Sequence, residues 1–481
     1  VEFDPVKLLR CVAIVALTGL AVGLARSPAA PAYTVHTPGN VHPHQPLLNS
    51  AESLGYQIPA FKFQGASSCS ASGCHNGGIK QAERSEFSTW AGYDPHKQKA
   101  YQVLFNEQSK RIVRNLNKIP NNPDVLVLAH RETLCLKCHS TCVPGAFQSP
   151  VPLQVEISDA VACEACHGAA EKYKTVHYLD EWKSLDRKQK AEQYGLFPTK
   201  DLAFRVRMCG SCHIGQEGSD VNHTLIAAGH PALRFEYTSH HFHPEMTRHW
   251  TEKNYGPDFD ARAWEIGQLS SARTALELML TRMKSPEWPE LAEFNCFSCH
   301  HDLQPGGWKN ALPAQQAGSF RWGTWYDPLV DVAGGVKFTA LEPLTEQMKK
   351  PLAKDKILVL ARELLKQLDT RLIQLQCEAD RDSRTTPYTE DQLIAKVKTL
   401  LQMSAPETWD GATQRYLAAS SIYHSVTEIN PARKDADLQK RFTDMADVLR
   451  FPIGYNSPSR DRFTPDEFQK TFSLLRQRLI P

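Results

Sequence analysis

Apolar residues fill only 41% of the 481 positions, which is little for a chain of this length. An aliphatic core alone is therefore not expected to account for the whole fold. Long hydrophobic runs are scarce too, Leu8 to Ala25 being the only one. Charge of one sign is missing: 55 Lys and Arg face 53 Asp and Glu, a formal net charge of +2, and nothing in that balance argues for nucleic acid. Histidine is nearly absent from the last third, since 18 of 19 precede Asp302 and only His424 follows. Thirteen cysteines are present, but ten fall in five close pairs. The remainder, Cys11, Cys142 and Cys377, excludes an even disulfide framework.

What is present is a cysteine pair followed at once by histidine, five times over. The sites are Cys69-x4-Cys74-His75, Cys135-x2-Cys138-His139, Cys163-x2-Cys166-His167, Cys209-x2-Cys212-His213 and Cys296-x2-Cys299-His300. Covalent c-type haem attachment needs this arrangement, because two thiols add to the two vinyl groups of one porphyrin while the next imidazole reaches the iron. The rival for any single Cys-x2-Cys is a zinc knuckle or a redox dithiol. The histidine decides against it, since chance would place one after all five pairs on the order of once in ten million. The first pair, with Ser70 to Gly73 between its thiols, has a small disulfide loop as its alternative reading. Small residues there let the longer loop bulge and still present both sulfurs. Five haems are expected, and porphyrins would supply the missing core, with 9 Trp, 14 Tyr and 20 Phe available to pack on them.

Lys7 and Arg10, the apolar run, and the small residues behind Arg26 predict a secretory signal over residues 1–30, cut near Ala30 or Ala32. An uncleaved membrane anchor is the alternative. Export suits haem attachment outside the cytoplasmic membrane, so the expected location is the periplasm or the outer face of that membrane. Losing Lys7, Arg10 and Arg26 against Glu2 and Asp4 leaves a charge of about +1. Ten propionates against five ferric centres would bring the assembled protein to roughly −4, which suits a small basic redox partner.

Residues 31–66 read as a Pro- and His-rich tether, and 67–310 as the haem-bearing part, with short helices and long loops. A helix is expected around His96 over Phe87 to Leu104 despite Pro95, and a clearer one over Ala261 to Met283. Residues 311–350 read as an irregular connector. Beyond, 351–481 reads as a haem-free helical bundle serving as scaffold or docking surface. Ile357, Leu360, Leu364, Leu368, Leu372 and Leu375 make one apolar face, and Leu393, Val397, Leu400 and Leu401 a second, behind a Thr389-x2-Gln392 capping box. Further helices are expected over Trp409–Val426 and Asp437–Phe451, and one from Thr464-Pro465. The expected fold class is mainly α, a multihaem cytochrome followed by that bundle.

The stretches SCSASGCHNG, STWAGYDPHKQKAY, CLKCH, ACEACHGAAEKY, MCGSCHIG, VNHTLIAAGHPALRFE and FNCFSCHHDL, and WDGATQRYLAAS in the bundle, resemble the multihaem cytochrome c-554 and c-prime family. The resemblance implies closely stacked haem pairs and histidine as the second axial ligand. It offers His96, His177, His223 and His230 for that role. His130, five residues before Cys135, completes the set without a strong family motif. His243 and His249 are reserves within a cluster that includes His240 and His241. His36, His42 and His44 are expected to be unligated.

An iron with histidine on both faces has no open coordination site, so electron transfer is the expected role, with redox proteins or a membrane electron-transfer complex as partners. Two alternatives stay open. One is a redox enzyme with a five-coordinate haem acting on a small nitrogen compound; no proximal histidine is replaced by lysine, and Tyr237 is the conspicuous extra side chain. The other is a redox subunit docked into a membrane complex by its C-terminal helices.

Overall fold

The computed structural model describes residues 45–77, 84–119, 126–141, 156–242, 256–300, 320–322, 325–379, 387–404, 406, 408–449 and 465–479. The fold is mainly α, and the described residues hold only two isolated β-bridges. The apolar run Leu8–Ala25 and the reserve histidines His243 and His249 lie outside the described residues.

The first half consists of short helices. They are α1 (Gln45–Ala51), α2 (Glu86–Tyr93), α3 (Pro95–Gln98), α4 (Glu107–Leu116), α5 (Thr133–His139), α6 (Cys163–His167), α7 (Asp180–Ser184), α8 (Arg187–Tyr194), α9 (Leu202–His213), α10 (His223–Ala228) and α11 (Tyr237–His241). The helix expected around His96 is broken in two. Pro95 forces extended backbone on the residue before it, and Asp94 accordingly sits at ψ 127°. Asp94 then caps α3 by accepting the His96 N–H, with Pro95 in the first turn. The stretch read as a tether joins the packed body from Gln45 on. Leu47, Leu48, Ala51, Tyr56 and Ile58 are buried against Phe197, Phe204 and Met208.

The second half is built on α12 (Phe259–Arg282), 24 residues long and buried on nearly every side over its first five turns. It packs on α9 on one side and on α15 (Lys354–Ala379) and α17 (Trp409–Ile429) on others. Two short helices, α13 (Val330–Gly334) and α14 (Leu341–Met348), occupy part of the stretch read as irregular. The remaining helices are α16 (Glu390–Gln402), α18 (Ala436–Leu449) and α19 (Pro465–Leu479). The Thr389 and Gln392 capping box opens α16 as expected. One continuous apolar cluster runs from Leu202 on α9 through α12 to Leu475 on α19. The helix that carries the fourth cysteine pair therefore shares a core with the C-terminal helices.

Several polar groups inside this core are paired across it. Gln268 Nε2 donates to Gln414 Oε1 at 2.8 Å, and Tyr388 Oη donates to Glu265 Oε2 at 2.8 Å. Asp369 on α15 accepts from Arg207 of α9 at 2.9 Å and from Arg273 of α12 at 2.7 Å. Arg207 also donates to Ser50 O at 2.9 Å and Ser53 Oγ at 2.6 Å, so the N-terminal arm joins α9, α12 and α15 through this guanidinium.

Candidate haem-binding sites

Helical backbone explains how three of the pairs present their ligands. Residues i, i+3 and i+4 share one helix face, so both thiols and the histidine point the same way on α5, on α6 and in the last turn of α9. The fifth site forms a tighter 3-10 turn over Cys296–Ser298, with the Cys299 N–H donating to Cys296 O at 3.3 Å. At the first site Ala66–Cys69 is a 3-10 turn. The N–H groups of Cys74 and His75 then converge on Ala71 O at 2.9 and 3.2 Å, drawing the longer loop into a compact turn. None of the ten paired cysteines is joined in a disulfide, Cys69 and Cys74 included.

The imidazoles are anchored through one nitrogen. Nδ1 of His75 lies 3.1 Å from Glu86 Oε2, and Nδ1 of His96 lies 3.1 Å from Asp94 Oδ1. Carbonyls serve the others: Ala100 O for His139 at 2.5 Å, Tyr173 O for His177 at 3.0 Å and Pro231 O for His230 at 2.8 Å. Each ring keeps Nε2 for another partner, which is the arrangement a metal-ligating histidine uses. Two imidazoles sharing one metal at the usual bond length of about 2.0 Å would have ring centres roughly 6.3 Å apart. The His75 and His177 centres are 6.1 Å apart with planes 13° from parallel, and those of His96 and His213 are 6.2 Å apart with planes at 84°. The residues present thus fit axial ligation of iron at these two places. His139 and His230 also lie within range of each other's charge.

Cysteines of different pairs lie close to one another. Cys69 is hydrogen-bonded to Cys163, and Cys138 to Cys212. Cys166 lies within electrostatic reach of Cys209 and Cys212. The first pair thus neighbours the third, and the second neighbours the fourth. The Cys163 hydrogen bond brings the Cys69 thiol down to about 6, and the Cys138 bond brings Cys212 to about 7. Burial instead pushes Cys135 up to about 12 and Cys209 to about 11. The lowered thiols are the ones readier to react as thiolates. Burial takes His213 down to about 3, with His240, His96 and His139 adding to the effect, so its imidazole is neutral and able to act as a ligand.

Residues 68–168, which contain the first three pairs, match the model of the cytochrome c554 and c-prime family. Over this stretch the chain is a c-type cytochrome of that family. It accordingly binds c-type haem covalently. Neither the curated proteins nor the solved structures include a match to the chain.

The remaining histidines of the cytochrome take different surroundings. His167 closes α6, and its carbonyl accepts from the Phe197 N–H at 3.0 Å. His300 is exposed beside exposed Cys296 and Cys299. The His223 N–H donates to Glu290 Oε1 at 2.8 Å, which ties α10 to the turn leading into Cys296. His130 lies flat on Phe105, ring centres 4.3 Å apart. Sequence reasoning passed over His240. Its Nδ1 lies 2.8 Å from Glu236 O, and its ring centre is 5.3 Å from that of His213. The anchoring carbonyl lies four residues back, as it does for Tyr173 and His177, so a histidine on a short helix was the available signal. Tyr237 is buried, with its hydroxyl accepting from Arg205 Nη1 at 3.1 Å and its ring stacked on His241.

Proposed function

We propose that the protein is an exported electron-transfer cytochrome that carries five c-type haems, most of them with histidine on both faces of the iron. The observation that carries this reading is the pairing of imidazoles, His75 with His177 and His96 with His213, at ring spacings of 6.1 and 6.2 Å that suit one iron between each pair. Haem bound at these pairs would supply one-electron exchange. The chain's own part is to hold and orient. Cys69, Cys74, Cys135, Cys138, Cys163, Cys166, Cys209, Cys212, Cys296 and Cys299 are the attachment thiols, and His75, His139, His167, His213 and His300 the proximal ligands.

His177 is the second ligand opposite His75, His96 opposite His213, and His230 opposite His139. Their anchored Nδ1 atoms fix each ring so that Nε2 stays directed and aprotic. The tie through Glu290 supports His223 for the fifth site, while His130 is supported by its sequence position alone. Among the described residues no helix is long and apolar enough to cross a membrane, so the bundle would serve as scaffold or as a docking surface for a redox partner.

Denaturing mass spectrometry and an EPR spectrum of the exported protein test the proposal together. Five haem additions with low-spin iron predominating are expected. Four additions would remove the first pair from the set. Steady turnover of nitrite or hydroxylamine, lost on altering one haem pocket, would replace the carrier by an enzyme.

A further inference from the structure

Glu164 sits between the two thiols of the third pair, and it is 2% exposed. Its carboxylate faces away from solvent toward backbone from two other segments. Gln64 N donates to Oε1 and Oε2 at 2.8 and 3.0 Å, Gly65 N to Oε2 at 2.7 Å and Ala170 N to Oε1 at 2.8 Å. Gly65, at φ 82°, is the residue from which the 3-10 turn ending in Cys69 starts. This φ favours glycine and sets the direction in which the first site leaves the bracket.

Around that carboxylate the two sites touch on both sides. Ala66, Trp90 and Ala162 form a small buried cluster with Cys163 against it, and Cys69 meets Cys163 directly. Lys174 Nζ donates to Gln64 Oε1 at 2.9 Å, binding the same two segments a second time. A buried carboxylate costs desolvation unless it is fully hydrogen-bonded, and here both oxygens are occupied by backbone donors.

We infer that Glu164 is a positioning residue that brackets the first and third haem sites and holds them at one spacing. The inference rests on haem at both pairs, as proposed above, which the haem count of the parent protein checks by itself. A bracket of this kind acts on two redox centres and leaves the others alone. Its removal should therefore appear as a selective change, where a general loss of folding would appear everywhere.

The experiment uses the exported, haem-loaded full chain with Glu164→Gln and Glu164→Asp. Glutamine removes the charge and turns one acceptor oxygen of the side chain into a donor facing backbone N–H groups, so at least one bond must break. Aspartate keeps the charge but is too short to reach residues 64–65 and 170 at once. In a redox titration followed by visible and EPR spectra, E164Q should move two steps to higher potential. E164D should alter the magnetic coupling between two haems, and both variants should keep the parent haem count or lose haem only at the first or third pair. Glu171→Gln, which touches only the Lys62 N–H nearby, should leave the titration as it was. Parent-like titration and coupling in E164D, an equal displacement of every step, or failure of both variants to accumulate would overturn the inference.

Discussion

Residues 61–177 and residues 256–449 are held together by different means. In the first stretch the apolar clusters contain two or three buried residues each, such as Leu104 with Leu136, or Val113 with Val127 and Ala129, and thiols lie at their edges. In the second, a single cluster threads α12, α15, α17 and α18. The first stretch relies on hydrogen-bonded brackets, on anchored imidazoles and on the porphyrins its thiols would carry. The second relies on aliphatic side chains packed between its long helices. The two stretches therefore differ less in how many apolar residues they hold than in whether those residues join into one buried cluster.

The largest test of this contrast is to withhold the cofactor. Protein made without haem attachment should lose hydrogen-exchange protection across residues 61–177, while amides of α12, α15 and α17 keep theirs. Equal protection in both stretches would show that the small clusters suffice without haem. Within the second stretch, Leu368→Ala should cost about 2–5 kcal/mol by leaving a cavity in a fully buried position, read from chemical denaturation. Asp369→Ala should cost about 3 kcal/mol, the low end for breaking a buried pair because Asp369 is still 22% exposed. Because Arg207 lies on the helix of the fourth pair, that variant should also disturb one redox step where Leu368→Ala disturbs none.

The two halves also differed in how far the sequence alone could be read. The long helices announce themselves: α12 and α15 carry apolar residues at helical spacing, and the Thr389 and Gln392 box marks the start of α16. Short helices do not: Val330–Gly334 runs into Gly335 and Leu341–Met348 carries Pro343 in its first turn, so neither shows a helical pattern in the sequence. The proximal ligands follow from local spacing. The second ligands do not, because His96 meets His213 and His75 meets His177 only through the tertiary fold. The same holds for the contact of Cys69 with Cys163, and for Gln45 onward, whose burial depends on partners near residue 200.

A smaller effect is expected at Asp94, which is 4% exposed and accepts from the His96 N–H at 2.9 Å while facing its Nδ1. A carboxylate there makes the imidazole a stronger donor to iron. Asp94→Asn keeps an oxygen for the cap but removes that charge. One redox step should rise while haem count and thermal stability stay close to the parent. A titration that superimposes on the parent would remove His96 from the axial set.

The smallest effect belongs to Glu265, which is buried at the centre of the second stretch and concerns no haem. Burial raises its carboxyl above the usual range, and it outweighs the opposing pull of Lys396, Tyr388 and Arg262. The folded state therefore holds this proton more tightly than the unfolded chain does. Its contribution to stability is full below the ordinary glutamate value of about 4.3 and is lost as pH rises through the raised one. Glu265→Gln removes the titration while keeping an acceptor for the Tyr388 hydroxyl. The Lys396 ion pair forms only as Glu265 ionises, so its pull is already contained in the raised value. The melting temperature of the parent minus that of E265Q should fall as pH rises from about 4 toward neutrality. A difference that stays flat or grows with pH would mean that Lys396 and Tyr388 outweigh burial, leaving Glu265 an ordinary ion-paired carboxylate.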